Sequence, residues 1–305
     1  MTAMTRQLRM NLIPNHIKAL ALSCFLIFML PGCSTQKYLT EKAGDLLSKE
    51  TLTTEDDLEL LMHASAYHLK LSESLLKEIP HHLKLSESVT RGFTQYAFVF
   101  LMDEADRIEN ESIKKSTLLR IRAAKMLIRA KSIGLETLKL KHGQLGPYLQ
   151  SNSPDKLLKL DMEDVGLAYW VMTSWAGAIS LSKDNPDVVA DLPQVFKLAN
   201  LVWQTDPKFD QGALASMMGT LELAKPGNQS KKAEDFFNLG IEWRGQQIAP
   251  LVSKAENWAV ATQNKDAFIQ LLNLAIQEGQ DKTDLTNTIM TRRAKWLLES
   301  TDNLF

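Results

Sequence analysis

The chain has 305 residues, with 35 Lys and Arg against 36 Asp and Glu, a formal charge of −1. That length carries a sizeable core, as one large domain or two small ones. The charge argues against a nucleic-acid partner, and the composition is neither disordered nor low-complexity.

The amino terminus reads as a targeting segment. Arg6, Arg9 and Lys18 precede an apolar run from Ala19 to Leu30, and Pro31-Gly32-Cys33 comes next. Basic start, short apolar run and small-residue site are the parts of a secretory signal. The run is too short for a transmembrane helix, which needs about 20 residues. A cysteine directly after the small residue resembles a bacterial lipoprotein signal. The resemblance implies that residues 1–32 are removed and that Cys33 becomes an acylated first residue. One acyl chain holds a protein to a membrane only marginally, at about 0.8 kcal/mol per buried CH2, whereas two or three anchor it. The expectation is therefore a periplasmic protein lipid-anchored to an envelope membrane. Ser34 favours the outer one. The plainer alternatives are an ordinary secreted protein cut nearby and an uncleaved anchor.

Three basic residues and no acidic ones leave with the signal, so 35 basic residues become 32 against 36 acidic and the charge becomes −4. Cys24 leaves as well, so with Cys33 acylated the domain has no thiol, disulfide or cysteine metal site.

From Ser34 to the carboxyl terminus the chain reads as helix throughout, with no hairpin turn signals and no sustained period-two alternation. Prolines fall between the periodic segments. Ser34 to Ser48 is a first helix within a lipidated tether, 33–50, and 51–305 forms the main domain. Thr54 reads as the cap of a second helix, with Glu55, Asp56 and Asp57 in its first turn, ending before Pro80. A third helix spans His82 to Ile108 with Phe93, Tyr96, Phe98 and Phe100. A long basic helix spans Ser112 to His142. Leu69-Lys-Leu-Ser-Glu-Ser74 recurs at Leu83 to Ser88, two heptads on, so both copies are able to present the same face.

Val165 to Ser182 carries no charge. It is weakly apolar for a membrane span and reads as a central helix buried on all faces, its glycines admitting close neighbours. Further helices are expected at Leu192–Gln204, Gln211–Ala224, Lys231–Ile241, Ala249–Gln263, Lys265–Ile276 and Asp284–Ser300. Their short connections imply antiparallel neighbours. The expected fold is all-α, stacked antiparallel hairpins with degenerate tetratricopeptide-like repeats. Ala233, Phe237 and Gly240 fit a second-helix pattern of small, aromatic, small, and Gly219 the first-helix glycine.

Several segments together resemble the TatT family, the T-component lipoproteins of TRAP transporters. They are Leu167 to Ile179, Asp191-Leu-Pro193, Trp203 to Pro207, Gly212-Ala213, Gly219, Arg122-Ala123 with Arg129-Ala130, Phe93 to Phe100, Asn287 to Leu298 and Leu304-Phe305. The resemblance implies an all-helical, membrane-tethered periplasmic accessory that engages the transporter's solute-binding protein. It also implies a homo-oligomer such as a trimer, and no catalytic residues. TRAP transporters import organic acids and related solutes on ion gradients, so an organic-acid or hydrophobic ligand is in view. A repeat-like scaffold lipoprotein for outer-membrane or cell-wall assembly is the alternative.

The residues offer little chemistry of their own. No histidine sits in a metalloprotease motif, and there is no phosphate loop, dinucleotide fingerprint or nucleophile elbow. His81-His82 reads as a solvated helix start rather than a metal site, and neither a metal nor a cofactor is expected. Two groups remain as ligand or partner candidates. Arg122, Lys125 and Arg129 share one helix face, as an acid-recognising patch or as a solvated surface. Tyr169, Trp170 and Trp175 crowd the uncharged helix, as core or as binding aromatics.

Overall fold

An uncharged helix inside a folded chain must be enclosed, and that requirement organises this molecule. The computed structural model describes residues 33–49, 57–151, 158–227 and 229–305. The described residues are helical with no strand, so the protein is all-α. The expected signal segment 1–32 and Thr54 lie outside the described residues. Contacts divide the chain at Lys42/Ala43. Helix α1 spans Cys33–Leu47, and before that boundary the Lys42 ammonium lies 5.8 Å from the centre of the Tyr38 ring. Residues 43–305 form the second, much larger unit.

Helix α2 spans Leu58–Glu78. Its cap is Asp57, whose carboxylate accepts from the backbone N–H groups of Glu59 and Leu60, so Asp57 precedes the first turn instead of lying in it. Helix α3 (Leu83–Tyr96) is capped by His82, whose Nδ1 accepts from the Leu85 N–H at 3.1 Å. His82 is a helix start as expected, but its ring is only 8% exposed and its Nε2 lies 3.3 Å from Asp45. It is enclosed, and only His81 is exposed. The expected single helix to Ile108 widens into a π-helical stretch at Ala97–Met102 before α4 (Asp103–Arg107). Helix α5 runs from Ile113 to Lys141 behind the Ser112 cap.

Pro147 lies inside a short helix, α6 (Leu145–Gln150), not between helices. First-turn positions have no acceptor for an N–H, so proline costs nothing there. The Lys197 ammonium closes the far end on the carbonyls of Leu149 and Ser151. Pro186, Pro193 and Pro250 occupy first turns in the same way, in α8 (Pro186–Val189), α9 (Leu192–Thr205) and α12 (Ala249–Ser253).

Helix α7 (Val165–Ser180) is the enclosed one. Twelve of its residues are buried, among them Leu167, Val171, Met172 and Ile179. Helices α3, α5 and α9 surround it. A side chain at Gly177 would come within 2.8 Å of Phe98 and 3.1 Å of Leu127, so its absence lets α5 and the π-helical stretch close in. Among the described residues no helix is long and apolar enough to cross a membrane.

Beyond α7 the chain packs as hairpins. Helices α10 (Ala213–Leu223) and α11 (Ser230–Trp243) form one pair, in which a side chain at Gly219 would come within 2.8 Å of the Phe237 ring. Asp210 and Gln211 have φ near +49° and so precede α10, not the helix start expected at Gln211. Gly212 is next, at φ +88°, and a side chain there would overlap the Gly240 carbonyl oxygen. After α12, a second π-helical stretch (Lys254–Ala259) leads to α13 (Lys265–Gly279), α14 (Leu285–Glu299) and the last turn, α15 (Thr301–Leu304). These bury a separate core around Phe268, Leu272 and Leu297. Gly212→Ala should lower stability by about 2 kcal/mol, combining left-handed backbone strain with the overlap. Urea unfolding of the variant checks this, and an unchanged midpoint would mean that the α10–α11 approach is not fixed here.

Candidate functional site

A cavity of about 280 Å³ opens where α2, α3, the first π-helical stretch and the start of α14 meet. Leu61 and Leu69 of α2, Tyr96, Val99 and Phe100 of the aromatic segment, and Leu285 and Ile289 of α14 form its apolar wall. Ser65, Ser88, Gln95 and Thr286 add neutral polar groups, and Lys49, His68 and Arg91 add basic ones. Its one acid, Asp284, is committed to capping α14: its carboxylate accepts from the Asn287 backbone N–H at 3.1 Å and from the Asn287 side-chain amide at 2.7 Å. The basic and apolar lining suits a small anion with an apolar body. A π-helical turn beside a cavity recurs at functional sites; Val99 and Phe100 reach the lining from such a turn.

The cavity is lined without any of the six residues singled out as ligand or partner candidates. Trp175 is core: its indole N–H donates to Asp191 at 2.9 Å, and the Lys131 ammonium sits 4.3 Å from its ring centre. Tyr169 is buried between Trp170 and Phe209, both at 5.1 Å between ring centres. Burial, and then the nearby Asp210 charge, push its phenol well above the ordinary range. Trp170 is half-buried against the same core. Arg122 and Lys125 point outward and are exposed.

Arg129 shares their helix but has a partner. Its guanidinium grips Glu73 of α2 with two hydrogen bonds, one of them 2.5 Å from Nε to Oε1, and lies 5.0 Å from the Phe93 ring centre. Glu73 is only 7% exposed and also accepts from Lys70 at 2.6 Å. Burial alone would raise its pKa, but the bonds from Arg129 and Lys70 outweigh it and hold the carboxyl below its ordinary value. The repeated Leu-Lys-Leu-Ser-Glu-Ser phrase is therefore structural. Ser72 and Ser86 are buried in the two copies, whereas Leu71 is exposed and its counterpart Leu85 is not. The copies present related but unequal faces.

His142, Asp161 and Asp164 bring ligand atoms within 4.8 Å of one another. The Lys141 ammonium already holds the position a cation would take, 2.7 Å from Asp164, 2.5 Å from Glu163 and 3.4 Å from Asp161. His142 Nε2 lies 2.8 Å from the second Asp164 oxygen, which also accepts from the Asp161 N–H. Burial raises the Asp164 pKa, but these donors outweigh it and hold the group ionised beneath the first turn of α7. This cluster closes a helix start.

Sequence spacing missed the cavity because its walls come from four separated segments. The one local signal was the aromatic run Phe93 to Phe100, read for its family likeness rather than for a site. Arg129→Met should cost about 2 kcal/mol at pH 7, since it leaves a buried carboxylate without its main donor. A carboxyl with a depressed folded pKa contributes stability above its unfolded value and loses it as pH falls through the folded one. The deficit should therefore be full above about pH 4.5, the ordinary value for this group, and shrink below it. Urea unfolding at pH 7 and pH 4 distinguishes this from lost packing on Phe93, which would give equal deficits.

Two comparisons bear on what this arrangement serves. The family model described as TRAP transporter T-component matches residues 54–305. A Treponema pallidum (strain Nichols) protein, described only as uncharacterized, is 24% identical over 267 residues, covering 83% of this chain and 82% of that one.

Proposed function

The chain belongs to the TRAP transporter T-component family, and from that premise we propose that it serves as the membrane-anchored accessory that docks the transporter's solute-binding protein in the periplasm. The match over residues 54–305, essentially all of the helical domain, carries the reading. The family is a transporter component and not an enzyme family.

Anchoring rests on the lipoprotein-like segment ending at Cys33, with acyl chains holding the domain at the outer membrane in preference to the inner. The cavity between α2, α3 and α14 is the ligand site in this reading. Lys49, His68 and Arg91 meet an organic-acid carboxylate while Leu61, Val99, Phe100 and Ile289 enclose its apolar part. Such a contact is charge-assisted and so stronger than one between neutral groups. Self-association, as in a trimer, belongs to the same reading.

In-cell cross-linking followed by purification and mass spectrometry should recover a solute-binding protein. Recovery of barrel-assembly or wall proteins instead would overturn the transport role. Cys33→Ser should abolish fatty-acid labelling, and labelling that persisted would refute the anchor.

A further inference from the structure

Helix α5 carries more positive charge than its neighbours neutralise. Nine of its 29 residues are Lys or Arg and only Glu136 is acidic. Five of the nine have acidic partners: Arg120 with Asp106 and Glu109, Arg129 with Glu73, Lys131 with Asp191, Lys139 with Glu136 and Lys141 with the Asp164 cluster. Lys114, Lys115, Arg122 and Lys125 have none among the described residues, and all four are exposed.

The unpaired cations are interleaved with aliphatic side chains turned the same way. Lys114, Leu118, Ile121, Lys125 and Ile128 recur at spacings of three and four, which places them on one stripe of the helix. Leu118 is 57% exposed, Ile121 48% and Ile128 41%. The opposite stripe, with Ala123, Leu127, Ala130 and Leu138, is buried. Like charges three and four apart weaken a helix on their own. A chain with net negative charge that keeps four such cations beside three bare aliphatics presents a surface complementary to an acidic, partly apolar one. Helix α5 is about 43 Å long, which spans a docking patch of standard size.

We infer that the outward face of α5, centred on Ile121, Arg122 and Lys125, is the surface that receives an acidic and apolar patch of the solute-binding protein. This rests on the proposed transport role. A protein partner fits this face better than a lipid surface. The inner stripe of α5 is fixed in the core, and the outward stripe offers three aliphatic side chains with no aromatic among them, Ile113 and Leu140 being exposed only towards the two ends of the helix, whereas interfacial helices sink a continuous apolar face into the bilayer. The apolar side chains supply contact area and the cations supply register and speed of encounter.

The test uses the full chain, purified in detergent, and the solute-binding protein of its transporter. Binding is measured across a salt series, with the double variant Arg122→Glu/Lys125→Glu and a control of equal charge change elsewhere, Lys183→Glu/Lys295→Glu. All four positions are exposed and unpaired among the described residues, so both variants should fold, which circular dichroism and melting confirm. The expected result is binding that weakens as salt rises, a loss of tenfold or more in the first variant with a flatter salt dependence, and affinity near wild type in the control. Wild-type binding retained in Arg122→Glu/Lys125→Glu would overturn the surface and leave the transport role standing. No binding by the wild-type chain would overturn the role, and the surface with it. If the double variant keeps partner binding but loses self-association or loses binding to phosphatidylglycerol vesicles, the face serves a second copy or the membrane, and the inference fails.

Discussion

The burial of α7 is the constraint on which the rest of the structure depends. A helix of 16 residues without a charge has no face to offer water, so other helices must surround it. Three of the polar side chains it carries have partners: Ser174 donates to the Val171 carbonyl, Ser180 to that of Gly177, and Trp175 to Asp191 on a neighbouring segment. Its first turn rests on Asp164, a buried carboxylate made tolerable by Lys141, His142 and a backbone N–H. Helix α5 is shaped by the same demand. It gives up side-chain bulk at Gly134, where a side chain would come within 2.7 Å of the Thr90 hydroxyl and overlap Val171, and sends its charges outward.

Most of this was legible in the sequence because helix periodicity, caps and the absence of charge are local signals. Ser112, Asn264 and Asp284 cap helices that the pattern placed to within a few residues. The π-helical stretches were not legible, since one inserted residue leaves the apolar pattern of Ala97–Met102 and Lys254–Ala259 close to that of an ordinary helix. Pro147 misled because its meaning depends on how far it lies from a helix start. The left-handed backbone at Asp210 and Gln211 leads into the Gly212–Gly240 approach, a long-range contact that no local rule contains.

The candidate residues divide along the same line. Trp175 and Tyr169 were weighed as core or binding aromatics, and their partners place them in the core. Arg129 shares a face with Arg122 and Lys125 in sequence, but Glu73, 56 residues away, separates it from them in role. The cavity was invisible because its chemistry emerges only where segments distant in sequence converge.

One more long-range tie bears on that cavity. Arg293, on α14, donates to Asp103 at 3.2 Å, Asp106 at 2.8 Å and Glu256 at 2.5 Å, and stacks on Trp296. Asp103 stands 190 residues earlier in the chain. The same helix supplies Leu285 and Ile289 to the cavity wall, so one wall of the chamber is contributed by a part of the polypeptide far removed from the others. Closing so long a loop costs chain entropy, which the contacts at its two ends offset. The chamber therefore exists only while α14 stays docked, and the Arg293 ion pairs that hold this helix also hold one of its walls.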